Sequence, residues 1–116
     1  MSVSYEGIGQ WAATFACSGV SEGQVVKVTG GGTVGACAAD DKFCGAVLAV
    51  SRDRTACTVA LGGMVTVPYS GDTAPAAGWV NLTADGSGGV TTATTGGREY
   101  LVVQVDSDGK TVGLFL

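Results

Sequence analysis

Short clusters of Gly, Asp and Ser interrupt the apolar parts of the chain every few residues, and this punctuation restricts the folds open to it. The sequence has 20 Gly in 116 residues, and the runs between the clusters are rich in Val and Thr. These β-branched side chains are favoured on pleated strands, whereas Gly, Asp and Ser supply turns. No run carries a helical stripe of roughly ten residues or more, so the pattern predicts an all-β protein.

Nine strands joined by tight turns follow from this pattern. In the C-terminal hairpin the turn is Asp106-Ser107-Asp108-Gly109, in which Gly109 is able to adopt positive φ. A second hairpin turns at Arg52-Asp53-Arg54, and its first arm, residues 46–50, is apolar throughout, which predicts a strand covered on both faces. Pro68 is expected to end a strand or to lie on a sheet edge. The predicted strands are 24–29, 33–38, 43–51, 55–61, 64–68, 79–83, 89–92, 99–106 and 110–116.

Many short strands with Gly turns indicate a small barrel or sandwich. Residues 23–116 are therefore predicted to form a Gly-rich antiparallel β-barrel or β-sandwich, and residues 1–22 an extended N-terminal arm. The periodicity of the arm fits two structures, and Gly7 and Gly9 favour the extended one. The helical pattern is Ile8, Trp11, Ala12 and Phe15, and the alternating pattern is Trp11, Ala13, Phe15 and Cys17.

Charge and composition exclude several classes of function. The formal net charge is −4, and the six cations are scattered, so the basic footprint of a nucleic-acid-binding protein is missing. With no His, the chain has no imidazole for nucleophile activation or metal ligation. No secretory signal and no apolar run of membrane-spanning length is visible, which predicts synthesis in a reducing cytoplasm and no membrane partner.

The four cysteines are expected to be small buried side chains. Cys17, Cys37, Cys44 and Cys57 are separated by 20, 7 and 13 positions, so none has the C-x-x-C spacing of a zinc or redox centre. Two disulfides are numerically allowed, but the predicted compartment argues against them.

Three short motifs invite a functional interpretation, and each is better explained as a turn. Residues 30–35 match G-x-G-x-x-G, but no helix follows to hold a pyrophosphate. Residues 106–109 resemble the start of a calcium loop, but the later ligand positions are lacking. Asp40 and Asp41 are adjacent, so on an extended chain their side chains point apart. We therefore predict no catalytic, cofactor-binding or metal-binding residue.

Large aromatic side chains are the remaining candidates for a functional site. Core packing accounts for most such residues, but buried aromatics also dominate many binding interfaces. Trp79 and Phe115 lie in predicted strands, whereas Trp11 and Tyr69 lie in irregular segments. The predicted interface residues are Tyr5, Trp11, Phe15 and Tyr69.

The order of strands and Gly turns over residues 23–116 resembles that of the phage capsid cement, or head decoration, proteins. Each matching piece is a strand pattern and none is a catalytic signature. The longer aromatic N-terminal stretch and the four cysteines depart from the simplest members. The matching segments are Glu22-Gly23-Gln24-Val25-Val26, Thr33-Val34-Gly35-Ala36-Cys37, Gly45-Ala46-Val47-Leu48-Ala49-Val50, Gly62-Gly63-Met64-Val65-Thr66-Val67-Pro68, Gly78-Trp79-Val80-Asn81-Leu82, and Tyr100-Leu101-Val102-Val103 to Leu116.

The resemblance implies a structural virion protein that is not an enzyme. Such a protein is made in the bacterial cytoplasm and carried on the outer capsid surface, where it binds the major capsid protein, often as a homotrimer, and stabilises the head. Its subunits bind together, so that avidity exceeds the affinity of one site. The N-terminal arm is expected to add a strand to a neighbouring edge or to lie in a groove.

Two other functions stay open. One is a tail or fibre subunit with a similar β domain. The other is a small ligand-binding β module, which would need a concave aromatic pocket around Trp79 and Tyr69.

Overall fold

Ten β-strands make up the regular structure of residues 10–116, the range that the computed structural model describes. That range contains no helix, hence none long and apolar enough to cross a membrane. The prediction of an all-β protein is confirmed. The strands are β1 (Trp11–Cys17), β2 (Val25–Gly30), β3 (Thr33–Ala36), β4 (Gly45–Val50), β5 (Ala56–Gly62), β6 (Met64–Pro68), β7 (Gly78–Ala84), β8 (Val90–Thr92), β9 (Arg98–Asp106) and β10 (Thr111–Phe115).

The strands form a closed barrel followed by a second sheet. The barrel has the order β1-β3-β2-β4-β5, and the second sheet has the order β6-β10-β9-β7-β8. The strand pairs are antiparallel except β1–β3, which is parallel. A bridge between Tyr69 and Val90 links the end of β6 to β8, the two edge strands of the second sheet. The predicted small β-barrel is thus present, with a second sheet added to it.

Part of the segment predicted as an N-terminal arm, Trp11–Cys17, is a barrel strand. β1 pairs with β5 from Trp11 to Ala16 and with β3 at Ala16 and Cys17. Ala13 and Phe15 are half-buried and Cys17 is buried, while the residues between them are exposed, which is the period of a strand. Because this segment pairs with β5, it follows the alternating pattern of its sequence and not the helical one. Residues 1–9 lie outside the described range.

The nine predicted strands are all present, and Met64–Pro68 has the predicted bounds. Pro68 ends β6, which is an edge strand, as expected. The expectation that residues 46–50 are covered on both faces is wrong. The pairing of β4 with β5 shifts register between Val47 and Ala49, and this bulge leaves Leu48 and Ala49 exposed.

The C-terminal hairpin is confirmed, but its turn differs from the prediction. Positive φ occurs at Lys110 (54°), whereas Gly109 is not in the positive-φ region. Asp106 Oδ1 accepts hydrogen bonds from the backbone N–H groups of Asp108 and Gly109, each at 3.1 Å. A Cβ on Gly109 would lie 2.9 Å from Asp106 Oδ2. A side chain at position 109 would therefore require the exposed Asp106 carboxylate to move.

Two apolar clusters form the interior. One fills the barrel around Val20, Val26 and Val59, and the other joins the barrel to the second sheet. In the joining cluster Tyr100 of β9 stacks on Phe43, with ring centroids 4.8 Å apart and planes 9° apart. Tyr100 Oη also donates a hydrogen bond to the Phe43 carbonyl at 3.2 Å. This pair connects the two sheets both by packing and by a polar contact.

The cysteines match the expectation of small buried side chains. All four are free thiols; Cys17, Cys37 and Cys57 are buried, and Cys44 is half-buried. Burial raises the pKa of Cys37 and of Cys57 to about 11. Since the thiolate is the reactive form, only about a thousandth of each thiol is reactive at pH 8.

We therefore expect Cys37 and Cys57 in the native protein to react with iodoacetamide at pH 8 at least about 100-fold more slowly than in urea-unfolded protein. Timed alkylation followed by peptide mass spectrometry measures both rates. The unfolded sample is the control, because each thiol is there at its ordinary pKa. Equal rates in the two states, or a native mass two hydrogens lighter, would contradict the free buried thiols.

Candidate functional site

The structure separates the four predicted interface residues. Trp11 is 81% exposed at the start of β1, and Phe15 is half-buried against the barrel core. Tyr69 is buried. Tyr5 lies outside the described residues. Of the described three, only Trp11 presents most of its side chain to solvent.

Tyr69 is a core residue, so the prediction that it belongs to a surface is corrected. It packs in the cluster that joins the two sheets, and its backbone N–H donates to the Lys110 carbonyl at 3.0 Å. Lys110 Nζ lies 5.3 Å from the centroid of the ring. The bridge to Val90 also fixes its backbone, which explains why a residue outside the named strands is so well covered.

An apolar row crosses the outer face of the second sheet. The pairing register places Trp79 opposite Leu101, Leu101 opposite Phe115, and Phe115 opposite Met64. These residues come from β7, β9, β10 and β6, which are neighbours in the sheet. Trp79 is 68% exposed and Phe115 is 51% exposed. We call Trp79, Leu101, Phe115 and Met64 the aromatic row.

The row faces solvent because the residues next to it in sequence face the core. Tyr100, Leu114 and Val65 are buried, each adjacent in the chain to a member of the row. Since successive side chains on a strand point to opposite faces, these buried neighbours direct the row outward.

A cleft lies at the β6 end of the row. It has a volume of about 220 Å³ and is lined by Trp11, Gly62, Gly63, Phe115 and Leu116. A Cβ on Gly62 would lie 3.5 Å from Trp11 Cε3, so the indole lies directly over the glycine backbone. The missing side chains at Gly62 and Gly63 leave the floor of the cleft open. We call this feature the terminal cleft.

Two hydrogen bonds hold the chain segments that border the cleft. Gln10 Nε2 donates to the Met64 carbonyl at 2.6 Å, and the Leu116 N–H donates to the Gly63 carbonyl at 2.9 Å. The first connects the start of β1 with β6, and the second connects the end of the chain with the Gly62-Gly63 turn. Both walls of the cleft are therefore anchored to paired strands.

The row and cleft together form a surface of apolar side chains. None of their residues has a charged side chain. From their exposed fractions, the rings of Trp11, Trp79 and Phe115 present on the order of 450 Å² to solvent. The largest apolar patch on a typical soluble monomer has a similar area, about 300–600 Å², and is often functional. The arrangement is suited to binding an apolar surface by shape.

A second, shallower cavity of about 250 Å³ lies on the barrel. Small and hydroxyl side chains line it: Thr14, Ala49, Val50, Ser51, Ala56, Cys57 and Thr58. The raised pKa of Cys57 keeps its thiol protonated at neutral pH, because burial disfavours the thiolate. Residues 10–116 contain no group of three or more His, Cys, Asp or Glu placed to hold a metal ion.

The acidic and glycine motifs occupy turns, as predicted. Residues 30–35 cover the turn between β2 and β3 and the start of β3. Asp41 Oδ2 accepts hydrogen bonds from Lys27 Nζ at 2.6 Å and from the Ala38 N–H at 2.8 Å. These bonds hold the pKa of Asp41 below its ordinary value, with the Lys27 hydrogen bond the largest cause. Asp41 is thus a structural acceptor within its loop.

Sequence patterns did not reveal the aromatic row. Trp79, Leu101, Phe115 and Met64 lie on four strands, and only the pairing register aligns them. Alternation on β10 does give a usable signal, since Val112, Leu114 and Leu116 face the core and leave Phe115 facing outward.

No protein-family model matches the chain, and no significant match to it is found among curated proteins.

Proposed function

We propose that this protein is a structural decoration protein that binds the outer surface of a phage head and stabilises it, with the major capsid protein as its partner. The observation that carries the proposal is the exposed aromatic surface formed by the aromatic row and terminal cleft on an all-β domain. Such a surface suits lasting contact with other proteins. The resemblance of residues 23–116 to the cement proteins is the reason for proposing a phage head as the particle that this protein binds.

Several further features are compatible with this role. The described strands are extensively paired, so the domain offers a rigid surface with little conformational entropy to lose on binding. Homotrimeric assembly belongs to the proposal, because linked subunits bind a repetitive shell with an avidity that single subunits lack. The proposed location is the outer capsid surface of the virion, after synthesis in the bacterial cytoplasm. No cofactor is part of the proposal.

The proposed contribution of the N-terminal arm now concerns residues 1–9 in particular. A deletion extending through Ser18 would remove β1 and open the barrel. Removing residues 2–9 leaves Gln10, its bond to Met64 and all of β1 in place. This shorter deletion tests the arm without dismantling the fold.

The test is binding to heads assembled from the major capsid protein of the same phage and lacking this chain. We expect the full chain to co-sediment with such heads, and electron microscopy to show added density on their outer surface. The deletion of residues 2–9 is expected to weaken binding at least about tenfold, as for the loss of a strand-adding segment. Val28→Ala, on β2, is the matched control and should bind normally.

Failure of the full chain to bind heads at micromolar concentration would overturn the proposal. Density on the tail or a fibre would instead favour the alternative virion subunit. The aromatic pocket that the ligand-binding alternative places around Trp79 and Tyr69 is not formed, because Tyr69 is in the core while Trp79 is on the outer face of the second sheet. These two residues do not line a common pocket.

A further inference from the structure

A glycine interrupts the outer face of the second sheet beside the aromatic row. Gly113 lies in the middle of β10 between two residues that face the core, so it faces outward, as Phe115 does. The pairing register places Gly113 between Thr66 of β6 and Gln104 of β9. The lack of a side chain at Gly113 therefore leaves a gap in this face, two residues along β10 from the row. We call this feature the Gly113 gap.

The described residues do not themselves require glycine at this position. Its φ is not positive. A bulge lies opposite, but a Cβ on Gly113 would have Gln104 Cβ at 3.5 Å and Val103 Cγ2 at 3.8 Å as its nearest neighbours, which are ordinary contacts. The bulge therefore tolerates a side chain. Glycine within a strand often marks a place where a ligand or another stretch of chain approaches closely, and the Gly113 gap is open to such an approach.

We propose that residues 1–9 of the same chain dock on the outer face of the second sheet, with the Tyr5 ring over the Gly113 gap. An aromatic ring packed over a strand glycine covers backbone that the glycine leaves exposed. The side chains of Val103 and Gln104 border the gap on the β9 side, where they can contact the ring. The sheet face thus provides both a floor and a wall for one aromatic side chain.

The point at which this segment joins the barrel favours the docking. Gln10 Nε2 donates to the Met64 carbonyl, so residues 1–9 begin beside β6, the edge strand of the second sheet. Gly113 is about 8 Å from Met64, since it lies two residues along and one strand across. An extended chain covers that distance in about three residues. Tyr5 precedes Gln10 by five residues, so its ring reaches the gap.

The sequence of the segment suits a chain with one covered side. Met1, Val3 and Tyr5 alternate with polar residues, as in a strand of which one face is apolar. Glu6 is the only charged side chain of residues 1–9 and belongs to the polar side of the alternation. Because the segment is tethered to the domain, docking avoids the loss of translational freedom that separate molecules undergo, so a small contact area suffices.

A segment docked at the Gly113 gap adjoins the aromatic row without covering it. The gap lies two residues from Phe115, and the rings of Phe115 and Trp79 keep their exposed faces. In the proposed function, segment and row then present one continuous surface, which reduces the entropy lost when a head is bound. That consequence rests on the proposed function, whereas the docking itself is measured on the free protein.

Nuclear magnetic resonance of the free protein tests the docking. We expect deletion of residues 2–9 to change the amide chemical shifts of Thr66, Gln104 and Gly113, because the ring over the gap is lost. The amide of Val28, on the outside of the barrel, should keep its shift. In the full chain, a nuclear Overhauser effect between the Tyr5 ring protons and the Gly113 Hα protons is expected.

Two substitutions within the segment separate the ring from its surroundings. Tyr5→Ala is expected to reproduce the shift changes of the deletion at Gly113 and Gln104. Ser4→Ala, at the adjacent position on the polar side, is the matched control and should keep the wild-type shifts. Both substitutions lie outside residues 10–116, so the paired strands stay intact.

A substitution in the sheet tests the same contact from the other side. Gly113→Val fills the gap and should release Tyr5 while the sequence of the segment is unchanged. Chymotrypsin cleavage after Tyr5 measures this release, because cleavage of a segment that opens reversibly follows the population of its open form. We expect cleavage at least about tenfold faster in Gly113→Val than in the wild type and Ser4→Ala. Circular dichroism verifies that the domain of each variant is folded.

Unchanged shifts at Gly113 and Gln104 in both the deletion and Tyr5→Ala would overturn the inference, as would equal cleavage after Tyr5 in the wild type and a folded Gly113→Val. Shift changes at Gly113 that arise only as concentration rises would overturn it in favour of a second copy. Head binding is scored separately: binding without a docked segment contradicts only the docking, and docking without head binding contradicts only the proposed function.

Discussion

Gly45→Ala is expected to destabilise the protein by about 3 kcal/mol or more, or to prevent folding altogether. Gly45 begins β4, where it is buried and pairs with Val26 of β2. A Cβ there would lie 2.0 Å from the Ala60 carbonyl oxygen and 3.0 Å from Val59 Cγ1. The oxygen belongs to the backbone of a paired strand, so relief requires moving β5 itself, and closure of the barrel restricts that movement.

Gly30→Ala is the matched control for this substitution. Gly30 ends β2 without a positive φ, and a Cβ there would meet no atom within 4 Å. Its alanine variant should unfold within about 0.5 kcal/mol of the wild type. Urea unfolding followed by circular dichroism measures both variants. If the Gly45→Ala and Gly30→Ala variants were equally stable, β4 and β5 would be farther apart at Gly45 than the structure shows.

Tyr100→Ala is expected to cost about 3–5 kcal/mol, the range for truncating a large buried aromatic. Tyr100 is among the largest fully buried side chains and belongs to the cluster that joins the barrel to the second sheet. The substitution removes the ring stacked on Phe43 and leaves the Phe43 carbonyl without the tyrosine hydroxyl. It also removes the surface under the Arg98 guanidinium, which lies 5.0 Å from the ring centroid.

Tyr100→Phe separates packing from hydrogen bonding. It keeps the stacked ring and loses only the hydroxyl, so we expect a cost of about 1–2 kcal/mol, the value for leaving a buried acceptor unpaired. The urea concentrations at which the two variants are half unfolded give the contributions of ring packing and of the hydrogen bond, provided that their unfolding free energies depend equally on urea. If the phenylalanine variant were as unstable as the alanine variant, the hydrogen bond and not the stack would connect the two sheets.

Strands can be predicted from the sequence wherever core-facing and outward-facing residues alternate along the chain. Met64–Pro68 has an alternating pattern between a Gly pair and a proline, so its bounds follow from the sequence. The periodicity of Trp11–Cys17 fits either a helix or a strand, and its extended form follows from the neighbouring glycines, whereas its place in the barrel depends on pairing with the distant β5. The exposure of Leu48 likewise depends on a bulge that forms only against β5. Such effects of tertiary pairing are absent from any local window of sequence.

The candidate site was less predictable than the strands. The irregular surroundings of Trp11 and Tyr69 predict that both lie at an interface. Trp11 lines the terminal cleft. Tyr69 is buried, and the bridge between it and Val90 depends on a strand that is distant in sequence. Trp79 and Phe115 become neighbours only through Leu101, across two strand pairings whose register is a property of the assembled sheet.

The bridge between Tyr69 and Val90 also bears on how this protein behaves when concentrated. Open sheet edges act as templates for uncontrolled strand pairing between molecules, which leads to fibrils and precipitates. In the described part of the chain the barrel is closed, and the edge strands of the second sheet have five and three residues and are linked at one end. Residues 10–116 therefore offer little open strand edge for pairing between crowded molecules, which favours contacts through side chains, whose geometry the sequence can specify.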